Sequence, residues 1–200
     1  MVLAVLQNAS FEAFLVGGCV RDLLMGIKPK DFDITTNATP EQIIALFPKT
    51  FYENTYGTVG VVTCGEENLP VCSDESVKIV EVTPYRLETT YSDNRHPDEV
   101  LWSKDINDDL KRRDFTCNAM AYNPVTGELI DPFEGQSDIE KGVIRAVGAP
   151  DVRFNEDALR LMRAIRLMSQ LDFDIHTVTR ESLEKNTHLL NNISRERVRD

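Results

Sequence analysis

Apolar and polar positions along this chain change period at its glycines and prolines, and the changes mark out the elements. Leu3 to Ala13 has apolar residues at helical spacing. Phe14-Leu15-Val16 is a short continuous apolar run that ends at Gly17-Gly18, which predicts a buried strand entering a tight turn. Val20 to Met25 then predicts one or two helical turns stopped by Gly26 and Pro29. Asp31 to Thr35 reads as extended, and Thr39-Pro40-Glu41 as the capped start of a helix through Phe47. Thr58 to Thr63 and Val77 to Val82 are β-branched runs that suit strands, with CGEENLPVCSDES (64–76) as a polar hairpin-like connection. Residues 84–109 are polar and turn-rich and predict a long mobile loop, within which His96 reads as a loop residue. Helical spacing resumes from Leu110 to Ala121, and NPVTGELIDPFEG has the turn residues of a hairpin or irregular crossing. Beyond Gly148-Ala149-Pro150 the pattern is wholly helical, with Leu161, Ile165 and Met168 spaced for a buried face.

The expected organisation is an α/β head over residues 1–148 followed by an all-α segment over 149–200. The chain ends at ISRERVRD, a helix cap with no room for its helix, so a longer protein is expected. No apolar run approaches the roughly 18 residues that a membrane span needs. The first residues lack the basic region of a secretory signal. Cys19, Cys64, Cys72 and Cys117 form no CxxC pair, which predicts reduced thiols and a cytoplasmic location.

Charge sharpens the picture. The chain carries 22 basic and 33 acidic residues, a net charge of −11, and residues 151–200 are balanced, so the whole excess lies in the first 150. Such a balance argues against a general nucleic-acid binder. It leaves room for carboxylates that hold a divalent metal.

Candidate chemistry centres on GGCVRDLLMGIKPKDFDIT (17–35). Residues i and i+2 of a strand share a face, so Asp31 and Asp33 are expected to project together while Phe32 and Ile34 face the core. Two like charges so placed repel, and fold stability alone would not select them. A hard cation such as Mg²⁺ would relieve the repulsion, because it takes carboxylate and phosphate oxygens. The Gly17-Gly18 turn lets backbone amides approach a phosphate, and Arg21 adds a guanidinium fork. Glu81, in KIVEVT, is the candidate third carboxylate. Together these residues suit a triphosphate held against two metals. The bland alternative is a solvent-facing DxD beside an ordinary glycine turn.

GGCVRDLLMGIKPKDFDITTNATPEQ resembles motif A of the class II tRNA nucleotidyltransferases and bacterial poly(A) polymerases, a branch of the polymerase-β superfamily. KRRDFTCNAMAYNP (111–124) resembles their motif B, and DPFEGQSDIEKGVIRAVG (131–148) their motif C. EDALRLMRAIR (156–166) resembles motif D, and ISRERVRD (193–200) the start of motif E. The resemblance implies a polymerase-β-like head with a small mixed sheet, then a helical neck that recognises the nucleobase. It implies Asp31 and Asp33 as metal ligands, Glu81 as a catalytic carboxylate, and Gly17, Gly18 and Arg21 at the triphosphate. Arg113 and Asp114 would meet the phosphates and ribose hydroxyls. Asp157 and Arg160, at i and i+3, would share a helical face. One acceptor beside one donor matches the amino-plus-ring-nitrogen edges of both cytosine and adenine, and mismatches uracil and guanine. Arg163 and Arg166 continue the ridge, and Glu156 would support the arginines.

YENTYGTVGVVT is close to the HGTV pattern of the tRNA enzymes, whereas a poly(A) polymerase would carry a GRRF-like stretch there. TTYSDNRHPDEV resembles the flexible loop of enzymes that add the terminal A. The resemblance therefore implies addition of CCA to the tRNA 3′ end from CTP and ATP with Mg²⁺. The alternatives are A-only or CC-only addition, poly(A) addition, or a catalytically inactive nucleotide- or RNA-binding module. Oligomeric state stays open. Since the acidic excess lies in the head, residues 1–200 alone are expected to bind tRNA weakly while still binding nucleotide, with the main tRNA contact further along the chain or confined to local patches such as Lys111-Arg112-Arg113. A filter-binding titration checks this, and tight, salt-sensitive binding by this segment would contradict it.

Overall fold

A computed structural model describes residues 1–52, 56–64, 78–88 and 99–193. Helix α1 (Val2–Asn8) leads into β1 (Ala13–Val16), all four residues of which are buried. A glycine turn opens α2 (Gly18–Leu24), and β2 (Asp33–Thr36) returns antiparallel to β1. Helix α3 (Pro40–Leu46) starts where expected. The Thr39 hydroxyl accepts from the Gln42 N–H, and the Gln42 side chain accepts from the Thr39 N–H, a reciprocal cap with Pro40 in the first turn.

Strands β3 (Thr50–Tyr52), β4 (Val59–Val62) and β5 (Ile79–Pro84) follow, then β6 (Arg86–Glu88) and β7 (Val100–Trp102), a separate two-stranded ribbon. Part of the region expected as a loop over 84–109 is thus ordered, because ribbon pairing satisfies its backbone. Residues 89–98, His96 among them, lie outside the described residues, as does most of the 64–76 connection. Helix α4 (Ile106–Lys111) is capped by Asp105, whose carboxylate accepts from the Asn107 N–H.

The helix expected over 110–121 stops at Lys111. Two backbone bonds pull the chain out of it: Thr116 N–H to the Arg145 carbonyl at 2.9 Å, and Val147 N–H to the Asp114 carbonyl at 2.9 Å. Phe115 is consequently extended and bridges Ala146. After a 3-10 turn at Thr116–Asn118 come the hairpin strands β8 (Ala121–Asn123) and β9 (Glu128–Ile130). Helix α5 (Gly135–Glu140), β10 (Val143–Ile144), α6 (Pro150–Glu156), α7 (Leu159–Leu171), β11 (Asp174–Ile175) and α8 (Thr177–Asn186) complete the described elements, with a 3-10 turn at Thr187–Asn192.

Seven strands form one sheet in the order β3-β4-β5-β2-β1-β8-β9, and only β2 and β5 pair in parallel. One face is the main core, where Leu15, Ile34, Val59, Val61, Val80 and Val82 pack with α1 and with Ile43 of α3. Ile34 lies in this core and Phe32 packs against it, as the alternation predicts. Phe14, Val16 and Ala121 cover part of the opposite face with Ile106 and Leu110 of α4. That leaves the β2–β5 end of this face to the polar residues described below.

A second core joins Phe115, Cys117, Ile144 and Ala146 to Phe154, Leu161, Ala164 and Leu167. It runs through the Gly148 boundary, so residues 115–146 supply one side of the helical segment's core. That segment is not wholly helical, since β11 pairs in parallel with β10. The expected α7 face also shifts. Leu161 is buried, but Ile165 is exposed, and the inward positions are Arg160, Leu161, Ala164 and Leu167. An arginine whose charge is satisfied inside sets the helix rotation, and hydrophobic spacing passes over it. Cys19 and Cys117 are free buried thiols, as expected, whereas Cys64 is disulfide-bonded. The expectation of reduced thiols therefore fails at Cys64, and Cys72 lies outside the described residues. Among the described residues, no helix is long and apolar enough to cross a membrane.

Phe154 is fully buried in the second core. Phe154→Ala should cost about 3–5 kcal/mol of stability, measured by urea unfolding, and should loosen α6 and α7 against the head.

Candidate active site

Asp33 opens β2 and is the register partner of Val16 on β1 and of Glu81 on β5. Register partners share a face, so the structure brings Asp33 and Glu81 side by side. Asp31 is placed differently from the expectation: it lies exposed in the bend before the strand, where strict alternation no longer applies. Its charge still reaches Asp33. Burial pushes the Asp33 carboxyl up from its usual range, Arg113 pulls it back, and Asp31 pushes it up again. The pair thus has the Arg113 guanidinium set against burial and mutual repulsion. Its donors are all hard oxygens, which fits a divalent cation. As the side chains stand, no three acidic, histidine or cysteine residues among the described ones converge on one point.

Gly17 turns the chain with φ +79°, a conformation open to glycine. A Cβ there would lie 3.4 Å from Arg113 Nη1 and 3.6 Å from Asp33 Oδ2, so the bare backbone sits where the carboxylate and the guanidinium meet. Gly18 begins α2 beneath Arg21, whose Nη2 would be 3.4 Å from a Cβ. Arg21 donates to Asp22 Oδ1 from Nε (2.9 Å) and Nη2 (2.6 Å), and to Asn118 Oδ1 from Nη1 (2.8 Å). Motifs 97 residues apart in sequence thus hold one guanidinium in place.

Arg113 is aimed by a residue the sequence reading did not single out. Asp109 is fully buried; its Oδ2 accepts from Arg113 Nη2 at 2.8 Å, and its Oδ1 accepts from Arg112 Nε at 3.0 Å and Nη2 at 2.5 Å. Arg113 Nε is buried with no hydrogen-bond partner among the described residues, a donor still to be satisfied beside the carboxylates. The signal for Asp109 was present: an aspartate three and four residues before two arginines at a helix end. Nothing local marked Asn118, because its partner comes from another motif.

Three arginines of the helical segment grip the same stretch of chain. Arg153 Nη1 donates to the Lys111 carbonyl (3.1 Å) and Arg160 Nη2 to the Arg112 carbonyl (3.1 Å). Arg163 Nε donates to Asp114 Oδ2 (2.6 Å). Glu156 accepts from Arg153 at 2.5 Å and from Arg160 at 2.8 Å. Asp114 is buried, which disfavours its charge, but Arg163 and the Phe115 N–H hold its carboxyl below the usual range. Asp157 is not helical: it links α6 to α7, and its Oδ1 accepts from the Leu159 N–H at 2.9 Å. Burial pushes its carboxyl up, while the Leu159 N–H, Arg160 and Arg163 pull it back. Arg166 is exposed on α7.

Against this geometry stand three kinds of similarity. A family model described as the poly(A) polymerase head domain matches residues 13–145, and one described as a probable RNA and SrmB binding site of polymerase A matches 172–200. The chain is 45% identical over 200 residues to the CCA-adding enzyme of Lactobacillus delbrueckii subsp. bulgaricus, covering 100% of this chain and 47% of that protein. The fold matches the Bacillus stearothermophilus CCA-adding enzyme in complex with CTP at a TM-score of 0.84 and 39% identity, over 98% of this chain and 45% of that one. It matches the Thermotoga maritima CCA-adding enzyme complexed with tRNA at a TM-score of 0.75 and 27% identity, over 99% and 43%. The chain spans about half the length of the curated relatives it matches.

Asp109 carries a pH signature. Burial works against its charge, yet Arg112 and Arg113 bring its carboxyl from 3.8 down to about 2. Its ionised form stabilises the fold above the unfolded pKa of about 4, and that contribution fades as the pH falls from about 4 to about 2. Asp109→Asn should lower the urea midpoint at neutral pH and flatten the acid dependence in that window. Equal acid slopes in variant and parent would refute the pairing.

Proposed function

The chain belongs to the poly(A) polymerase head-domain family, and from that premise we propose that it is the nucleotide-adding part of a tRNA nucleotidyltransferase that builds the 3′-terminal CCA from CTP and ATP. The observation that carries this reading is the row of Asp33 and Glu81 on one sheet face, with Gly17 and Arg113 at its edge. The Asp33 carboxylate meets the Arg113 guanidinium across a bare backbone turn, an arrangement that suits a triphosphate with its cation. The 45% identity to a CCA-adding enzyme over the whole chain supports CCA addition over the poly(A) alternative.

In this reading the triphosphate lies over Gly17 and Gly18, with Arg21 and Arg113 against its oxygens. Arg113 Nη1, the guanidinium nitrogen nearest Gly17, is one donor for it. Asp31 and Asp33 would hold a divalent cation, which we take to be Mg²⁺, with Glu81 adjoining them. When bound, that ion supplies charge neutralisation at the phosphates and Lewis acidity toward the acceptor hydroxyl. The acceptor 3′-oxygen forms a bond to the α-phosphorus as the bond to pyrophosphate breaks. Asp114 retains lone pairs beyond those used by Arg163 and Phe115, and these can accept from ribose hydroxyls.

For base selection, Asp157 accepts from the exocyclic amine that cytosine and adenine share. Arg160, held by Glu156 and by the Arg112 carbonyl, donates in a fixed direction. Uracil and guanine would leave groups unpaired, at about 1–3 kcal/mol each. Arg163, anchored on Asp114, and Arg166 border the same helix.

Labelled CTP and ATP, offered with Mg²⁺ and tRNA lacking its 3′ end to the natural full-length protein, should be incorporated in the order C, C, A. Binding of CTP without addition would overturn the reading, and extension by ATP alone would favour poly(A) polymerase. Asp31→Ala and Asp33→Asn should each lower addition by about 100-fold or more while folding persists, in line with the loss of a preorganised charge at a transferring group. Normal rates in either variant would remove that residue from the site.

A further inference from the structure

We propose that Phe51 is the stacking surface for the 3′-terminal nucleobase of the acceptor RNA, an inference that rests on the nucleotidyltransferase reading. The row that carries the two carboxylates continues past Glu81. Glu81 on β5 is the register partner of Gly60 on β4, and Gly60 is that of Phe51 on β3. Asp33, Glu81, Gly60 and Phe51 therefore point to one face.

Gly60 has no side chain, and the Phe51 ring occupies the vacated space. Both of its Cε atoms lie 2.7 Å from where a Cβ on Gly60 would be. The ring thus leans across β4 toward Glu81 instead of turning away over the sheet edge. It is 40% exposed, and Ile79, two residues before Glu81 on the same face of β5, is 44% exposed. The result is an open aromatic and aliphatic shelf directly beside the carboxylates.

Sheet order decides which substrate meets this shelf. Gly17 and Arg113, on the β1 side of Asp33, form the triphosphate cradle. The shelf lies on the other side, across β5, β4 and β3. An in-line displacement brings the attacking hydroxyl from the side opposite the leaving pyrophosphate, so the acceptor terminus arrives over the shelf.

Stacking also fits what that terminus is. It presents a different base at successive additions, so hydrogen-bond readout would fit one round and fail another, whereas every base has a π-face. The net charge of −11 over these 200 residues offers RNA little general attraction, so a contact that does not depend on charge suits the terminus.

The test uses the natural full-length protein and an RNA minihelix lacking its CCA. Phe51→Ala should raise KM for the RNA roughly ten-fold, as loss of one stacked base implies, with KM for CTP unchanged. Phe51→Trp should retain the parental value, and Phe51→Leu, apolar without a π-face, should be as poor as alanine. Rescue by leucine, an unchanged KM for RNA, or a parallel rise for CTP would overturn the proposal. So would a dimer of this chain that Phe51→Ala disperses, since the shelf would then belong to a second copy. A binding readout separates this inference from its premise: with Trp102→Phe as background, the tryptophan of F51W should be quenched by the minihelix. If the parent protein adds no nucleotide, the reaction reading fails, and absence of quenching overturns the shelf by itself.

Discussion

Asp109 lies fully buried between Arg112 and Arg113, and much of the rest of the site is positioned from that contact. A buried carboxylate is tolerated only when paired, and removing one partner of such a group costs about 3–5 kcal/mol. The contact therefore holds its two arginines firmly. One is aimed at Gly17 and Asp33, and the carbonyl of the other receives Arg160. A single charge cluster at the end of α4 thus sets the cationic edge of the carboxylate face and a docking point for the helical segment.

That docking couples two parts of the molecule that lie far apart in sequence. Arg153, Arg160 and Arg163 each find an acceptor between Lys111 and Asp114, and Glu156 braces two of them. Backbone carbonyls at a helix end need donors, and guanidinium groups supply them in fixed directions. The second core seals the same junction with Phe115 on one side and Phe154 and Leu161 on the other. Displacing α6 or α7 would therefore disturb Arg112 and Asp114 before it disturbed the sheet. In the proposed reaction this ties base selection to the placement of the phosphate-binding arginine.

The sheet contributes through register. A parallel pairing of β2 with β5 is what sets Glu81 beside Asp33, and antiparallel pairings on either side carry the row to Val16 in one direction and to Gly60 and Phe51 in the other. Glycine matters at two points of this face for different reasons. Gly17 takes a positive φ so that backbone can sit between Asp33 and Arg113, and Gly60 gives up its side chain to an aromatic ring.

The amino-acid order by itself determined the local pieces: the strand into Gly17-Gly18, the cap at Thr39, the alternation that buries Phe32 and Ile34, and the ordered motifs that point to the family. Each depends on neighbours a few residues apart, where steric and hydrogen-bonding preferences act directly. The end of α4 at Lys111, the inward turn of Arg160, the pairing of β10 with β11 and the place of Asp31 ahead of its strand were decided only by tertiary structure. In the first three, the deciding partner lies dozens of residues away: Arg145 for Thr116, the Arg112 carbonyl for Arg160, and Asp174 for Val143. Periodicity treats an arginine as a surface residue, so it rotated α7 the wrong way. It cannot register that a distant carbonyl and a glutamate satisfy that charge inside. Asp33 and Glu81 were legible as candidates, but their meeting on one row belongs to the parallel pairing alone.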